Sequence, residues 1–228
     1  LDDNQNIYDR RRSWKDLGIQ ARGRVHRVSW IYRNTQEITA LAKVLEDKNE
    51  STSSDGAQQT RLFPETFEAS HGPAPEIKQF TNVEEIVSWT ADKISHLHNN
   101  EGYSLSEIAI IYTMKCPENQ PQLHLPHMLM SALENKGIIH QWISEDYRSK
   151  KSYDVTTKSV SISTIHSAKG FDYACVFLLG LDWMEAEKRW TEEQIRKLAY
   201  VAVTRARERL FVPFCCMNAI IKKLLQRD

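Results

Sequence analysis

The chain has 228 residues, 41% of them apolar, with 30 basic and 30 acidic side chains and a formal net charge of zero. That length suits one large domain or two small ones, and the apolar share supplies a sizeable core. The charge balance excludes a whole-molecule field that announces a nucleic-acid binder, and the lack of any run of about 18 apolar residues excludes a membrane-spanning helix.

The first stretch, "LDDNQNIYDRRRSW", has no basic region leading into an apolar core, so it does not read as a secretory leader. It does open a basic patch that runs from Arg10, Arg11 and Arg12 to Arg33. Such a run is either a solvated face or a local phosphate contact. Segment 25–31, "VHRVSWI", alternates apolar and polar residues as a strand does. Asn34 then stands three residues before Glu37, like the start of a capping box, and Ile38, Leu41, Ala42 and Leu45 follow at helical spacing.

Residues 46–60 are polar without apolar period and read as a mobile loop. "EIKQFT" (76–81) is a short strand candidate. Asn82 and Glu85 repeat the capping signature ahead of an apolar stripe from Val83 to Leu97. "IAIIY" (108–112) reads as a buried strand, 122–136 as a helix closed by Gly137, and "IIHQWI" (138–143) as the next strand. Residues 146–158 are a polar connection.

"SVSIST" (159–164) and "CVFLLG" (175–180) are strands around a polar stretch that holds His166, Ser167, Lys169, Gly170 and Asp172. Thr191 and Gln194 form a further capping box, leading a helix toward Arg205. "RLFVPF" (209–214) is a strand, and 217–226 a closing amphipathic helix. Strands alternating with ordinary helices give an α/β fold with a largely parallel sheet covered by helices. In such sheets functional groups gather at the carboxyl ends of strands, which is where Tyr32, Arg33 and the run His166–Asp172 are expected.

The cysteines, Cys116, Cys175, Cys215 and Cys216, are few and irregular, which suits a reducing cytoplasm better than a disulfide framework. His124 and His127 lie near Cys116, but no second cysteine pair completes a zinc set. The vicinal Cys215 and Cys216 are expected to be buried at a strand end rather than to do redox work.

Four stretches then combine. "IYRNTQEI" (31–38), "ISTIHSAKGFDYACVFLLG" (162–180) and "LAYVAVTRARERLFV" (198–212) resemble motifs IV, V and VI of the UvrD/Rep/PcrA family of superfamily 1 DNA helicases. "DDNQNIY" (2–8) looks like the family's motif III, and "SEIAIIYTMK" and "LENKGIIHQWI" are similar to its stretch between motifs IV and V. The resemblance covers nearly the whole chain in the family's order. It implies a RecA-like fold of the P-loop NTPase type: the second motor domain over 25–228, preceded by a motif III segment and linker over 1–24.

Independently of the name, a nucleoside triphosphate offers a base to stack on, ribose hydroxyls to bind and a polyanionic tail. An aromatic ring, a carboxylate and guanidinium groups meet those needs. The resemblance gives Tyr32 to the adenine, Asp172 with Gly170 beside it to the ribose, and Arg33 to the γ-phosphate. It makes Arg205 the arginine finger and Gln5 the γ-phosphate sensor. It also implies single-strand contacts, without sequence readout, from Thr164, His166, Ser167 and Lys169, with base stacking by Tyr8 and phosphate contact by Arg10 or Arg11.

The chain departs from the pattern at Ile31, where relatives carry Asn, and at Arg10, where many carry Trp. It departs again at Asp172, one methylene shorter than the usual Glu. The phosphate-cradling pattern G-x-x-x-x-G-K-[ST] begins at none of the eight glycines. The chain is therefore expected to be a C-terminal part of an ATP-dependent helicase or translocase, inactive alone. ATP and Mg²⁺ would be completed by the N-terminal RecA-like domain of the same protein, and single-stranded DNA or DNA junctions would be the partner. Two rivals stay open: a helicase-like binding module without motor activity, and part of a helicase–nuclease subunit.

Overall fold

The computed structural model describes residues 33–45, 70–117, 120, 122–143, 157–185 and 190–226. The expected strand at 25–31, the loop at 46–60, the 1–24 segment and most of the 146–158 connection lie outside them.

Six strands form one sheet: β1 (Glu76–Gln79), β2 (Ile108–Tyr112), β3 (His140–Trp142), β4 (Val160–Thr164), β5 (Tyr173–Leu179) and β6 (Ala206–Phe214). Their spatial order is β1-β6-β5-β2-β4-β3, and every pairing is parallel. β2 and β5 are buried along their whole length. That is why "IAIIY" and "YACVFLL" read as unbroken apolar runs: strands covered on both faces have no solvent side to make polar.

The helices are α1 (Gln36–Val44), α2 (Val83–Asn99), α3 (Leu125–Glu134), the single turn α4 (Ile165–Ala168), α5 (Glu192–Val203) and α6 (Ala219–Leu225). α2 and α3 cover one face. Ile86, Ile94 and Leu129 pack there on Ile108, Ile110, Phe177 and Phe211. α1, α5 and α6 cover the other, where Ile38, Leu198 and Ile221 meet Ala109, Ile111, Val176 and Val212. Odd and even strand residues thus serve different cores, as the period of two requires. At the centre of the first face, Phe177 and Phe211 are register partners and stack with centroids 4.5 Å apart. The Trp89 ring meets both edgewise at 6.1 Å.

The capping reading holds for two helices. Asn82 Oδ1 accepts from the Glu85 amide at 2.8 Å, and Thr191 and Gln194 exchange bonds of 3.2 and 3.0 Å. It fails for α1. Thr35, not Asn34, is the N-cap, and it makes no side-chain cap bond. Glu37 turns instead to the incoming chain, accepting from the Gly72 amide at 2.8 Å with His71 Nδ1 at 3.0 Å. Asn34 is engaged elsewhere.

Several boundaries move. α3 starts at Leu125 with Pro126 in its first turn, rather than at 122. It ends at Glu134 rather than 136, and Gly137, with φ of 67°, follows in the turn beyond it. β6 starts at Ala206, not 209. Its charged opening hides the strand, because Arg207 and Arg209 pair with Glu107 and Glu101 and Glu208 accepts from the Tyr103 hydroxyl. Cys216 is exposed and Cys215 half-buried, against the expected burial of both, because the chain turns off the sheet there.

Candidate functional site

The site is built on two adjacent strand starts. Asp172 immediately precedes β5 and Arg205 immediately precedes β6, and Tyr173 pairs with Ala206 across the ladder. The Tyr173 amide donates to the Arg205 carbonyl at 2.9 Å, which fixes the two residues side by side. These are amino ends of strands, which corrects the expectation of a carboxyl-end site for Asp172. β4 and β5 are parallel, so the chain from Thr164 has to climb back to the opposite edge, and α4 with Lys169–Asp172 makes that return.

Arg205 lies one residue past the C-cap of α5. Its side chain is 4% exposed and folds back on its own helix. Nε donates to the Val201 carbonyl at 3.1 Å, and one terminal nitrogen donates to the Phe171 carbonyl and to Asp172 Oδ1, both at 3.2 Å. A cation at a helix carboxyl end meets the negative end of the macrodipole, so this placement is favourable even under cover. Thr204 closes the same helix end, its hydroxyl lying 3.0 Å from both the Tyr200 and Val201 carbonyls.

Arg33 reaches the other carboxylate oxygen. Its guanidinium donates to Asp172 Oδ2 at 2.5 Å while remaining 66% exposed. One carboxylate thus holds two guanidinium groups from positions 33 and 205, one solvated and one covered. A carboxylate has about four acceptor directions, so two remain for another donor.

Asn34 is the residue that sequence reading misplaced. It is 3% exposed, and its Nδ2 donates to the Thr204 carbonyl at 3.1 Å and to the Ala206 carbonyl. These are the two carbonyls that flank Arg205. The next amide, Thr35, donates to the Arg207 carbonyl at 3.0 Å. The partners are some 170 positions away, so no short-range pattern announces them.

At the far end of β4, Thr164 caps α4. Its Oγ1 accepts from the Ser167 amide and donates to the Ser167 hydroxyl, both at 3.2 Å. His166 and Lys169 are exposed on that turn. Gly170 has φ of 98°, a left-handed conformation that a side chain disfavours, and a Cβ there would meet nothing within 4 Å. The structure therefore explains this glycine by backbone shape. The phosphate-contact candidates Thr164, His166, Ser167 and Lys169 share one corner; Arg33, Asp172 and Arg205 form another. Gln5, Tyr8, Arg10, Arg11 and Tyr32 lie outside the described residues.

His124 and His127, weighed above for zinc, stack on each other at 4.0 Å, and both meet Trp142 edgewise. Burial, with His127 and Lys115 nearby, holds the His124 imidazole below its ordinary pKa. No group of three metal-ligating side chains gathers among the described residues.

With this geometry in view, comparison with known proteins places one segment of the chain in a family. The family model of the UvrD-like helicase C-terminal domain matches residues 129–216. Those residues belong to the UvrD-like helicase C-terminal domains. The UvrD-like segment carries Thr164 to Asp172 and Arg205, while Arg33 and Asn34 join it from outside the match. The chain is 34% identical over 81 residues to the ATP-dependent DNA helicase PcrA of Staphylococcus epidermidis, covering 32% of this chain and 11% of that protein. It is 31% identical over 88 residues to the RecBCD enzyme subunit RecB of Chlamydia pneumoniae, covering 39% and 8%. A probable DNA helicase of Mycoplasma pneumoniae matches at 31% over 122 residues, covering 45% and 20%. The matched region is therefore at most a fifth of these relatives. The fold is that of the C-terminal domain of a possible DNA helicase from Lactobacillus plantarum, with a TM-score of 0.57 and 19% identity over 86% of this chain and 94% of that one.

Proposed function

We propose that this chain is the second motor domain of an ATP-dependent DNA helicase or translocase, and that it supplies the arginine half of a shared ATP site. One observation carries the reading. Arg33, Asp172 and Arg205, far apart in sequence, meet around a single carboxylate. Phosphoryl transfer is mostly positioning and electrostatic stabilisation, and an arginine finger raises turnover by about 10³–10⁵-fold.

In this reading Arg205 is the finger and Arg33 a second phosphate donor. Asp172 holds both and keeps acceptor directions for a ribose hydroxyl. Two guanidinium groups suit a polyphosphate. The described residues offer no comparable set of carboxylates for Mg²⁺, which the reading assigns, with the phosphate cradle, to an N-terminal RecA-like domain. Tyr32 stacks on the base and Gln5 senses the γ-phosphate. The Thr164–Lys169 corner, with Tyr8, Arg10 and Arg11, tracks single-stranded DNA by its backbone and bases. No helix among the described residues is long and apolar enough to cross a membrane, and all four cysteines are free thiols; the reading places the protein in the cytoplasm.

The test is Arg205→Ala in the full-length protein. DNA-stimulated ATP hydrolysis falls to background while the thermal midpoint stays within a few degrees. Turnover like the wild type refutes the finger role. The similarity to RecB subunits favours one second reading, a helicase–nuclease subunit. Degradation of linear DNA by the full-length protein separates it from a helicase alone.

A further inference from the structure

We infer that Asn34 is a positioning residue: its side-chain amide locks the turn that carries Arg205 to the segment that carries Arg33, so that the two guanidinium groups act as one unit. The inference rests on the reading of Arg205 and Arg33 as phosphate donors.

Three observations lead to it. Asn34 Nδ2 spends both of its N–H groups on the carbonyls of Thr204 and Ala206, one on each side of Arg205. The Thr35 amide continues the seam to the Arg207 carbonyl. The Asn34 Oδ1 atom is buried and has no hydrogen-bond partner. The amide orientation is settled by chemistry, since the flipped form would set an oxygen against two carbonyl oxygens.

A capping side chain would act as an acceptor, but Asn34 stands one residue before the N-cap Thr35. What the structure holds there is a donor, with an unsatisfied acceptor as its cost. Such a cost is commonly kept where a site needs a fixed geometry. Arg205 has three anchors of its own, but they tie it to α5, to the Phe171 carbonyl and to Asp172. Asn34 alone among the described side chains ties the turn on both flanks of Arg205 to the neighbour of Arg33. Without it, the Arg33 segment is held to that turn only by the Thr35 amide on the Arg207 carbonyl and by the Arg33 bond to Asp172. A finger displaced by about 1 Å from the transferring phosphoryl group loses on the order of 10²-fold in rate, while ground-state binding, shared among many contacts, changes little.

The experiment uses the full-length protein with Asn34→Ala, Asn34→Ser and Arg205→Ala. Two readouts are taken: steady-state ATP hydrolysis with single-stranded DNA, and the Arg205 Nε–H resonance after ¹⁵N-arginine labelling. In Asn34→Ala, kcat falls about 10- to 100-fold with KM within about threefold, and the Arg205 resonance shifts or broadens while other arginine resonances stay. Asn34→Ser, which keeps one donor, is intermediate in both. If Asn34→Ala does not fold, as collapse of all arginine resonances would reveal, Asn34→Ser decides by the same two readouts. An unmoved Arg205 resonance in a folded variant overturns the inference, as does unchanged kcat beside an inactive Arg205→Ala. A moved resonance beside an active Arg205→Ala sinks the finger role instead, leaving the positioning contact standing.

Discussion

Asp172 sits between two arginines in very different surroundings, and in the proposed reading that contrast separates their roles. Arg33 is solvated, so its pair with Asp172 is screened and weak. Arg205 is covered and bonded to two backbone carbonyls as well as the carboxylate. Those bonds fix its position, and the proposed finger role needs such electrostatic preorganisation. Arg205→Ala is therefore expected to stop turnover, whereas Arg33→Ala weakens it less, measured as DNA-stimulated ATPase of the full-length protein. A second residue-scale prediction concerns Gly72. A Cβ added there would stand 2.5 Å from Thr35 Cγ2 and 3.1 Å from Thr35 Cβ, beside the seam that Asn34 and Thr35 make with 204–207. Gly72→Ala should lower stability by about 1–3 kcal/mol through overpacking. In a Thr35→Ser background, where the offending methyl is gone, the same change should cost roughly 1 kcal/mol less. Equal losses in urea titrations of both backgrounds would show that the close approach is not the cause.

At the scale of elements, one short piece ties the end of β6 to the rest. Asp182, in the turn after β5, is 6% exposed and accepts from the amides of Cys215 and Cys216 at 2.8 and 3.1 Å. Three residues on, Glu185 accepts from the Ala219 and Ile220 amides that open α6. Burial pushes the Asp182 carboxyl above its ordinary range, and the two amide bonds offset that only in part. The folded state therefore holds this proton more tightly than the unfolded chain, whose aspartates titrate near about 3.9. Stability from this group is present below that value and declines as pH rises through the raised folded pKa. Asp182→Asn keeps an acceptor without the charge. Its melting temperature should equal or exceed the wild type at neutral pH, with the difference closing below about pH 4. Asp182→Ala strands both amides and should lose about 1–3 kcal/mol. A melting temperature for Asp182→Asn well under the wild type at neutral pH would mean that the charge itself holds the corner. Elements of this kind also show why the sequence was legible in parts. β2, β5, α2 and α5 carry unbroken apolar runs or local caps, and both signals lie within a few residues of one another. The start of β6 carries charges whose partners sit some 100 positions earlier, so local pattern cannot reveal it. Asn34 obeys the local rule for a cap and is drawn off by carbonyls across the fold. The motifs marked Arg33, Asp172 and Arg205 as belonging together; that they meet at strand amino ends follows from the path of α4.

At the scale of the whole molecule, two helical layers seal one parallel sheet, so the centre opens only when a layer leaves. Cys175 reports that event. It is the third residue of β5, fully covered, paired with Ile108 on one side and Arg209 on the other. Burial pushes its thiol up to about 12, and Cys215 follows to about 12 for the same reason. Attack on a disulfide reagent needs a thiolate and access, and Cys175 has neither in the folded state. Cys216, exposed at the end of β6, has access. With an excess of an aromatic disulfide at neutral pH, Cys216 should react first and Cys175 last. The Cys175 rate should rise with urea along the same slope as global unfolding, because no smaller opening uncovers the strand between β2 and β6. A Cys175 rate independent of urea would require a local opening of β5 against β6. Since those strands begin just after Asp172 and Arg205, the same opening would separate the two residues on which the ATP-site reading depends. Thiol kinetics on wild-type protein thus test whether the arginine cluster is as rigid as its role demands.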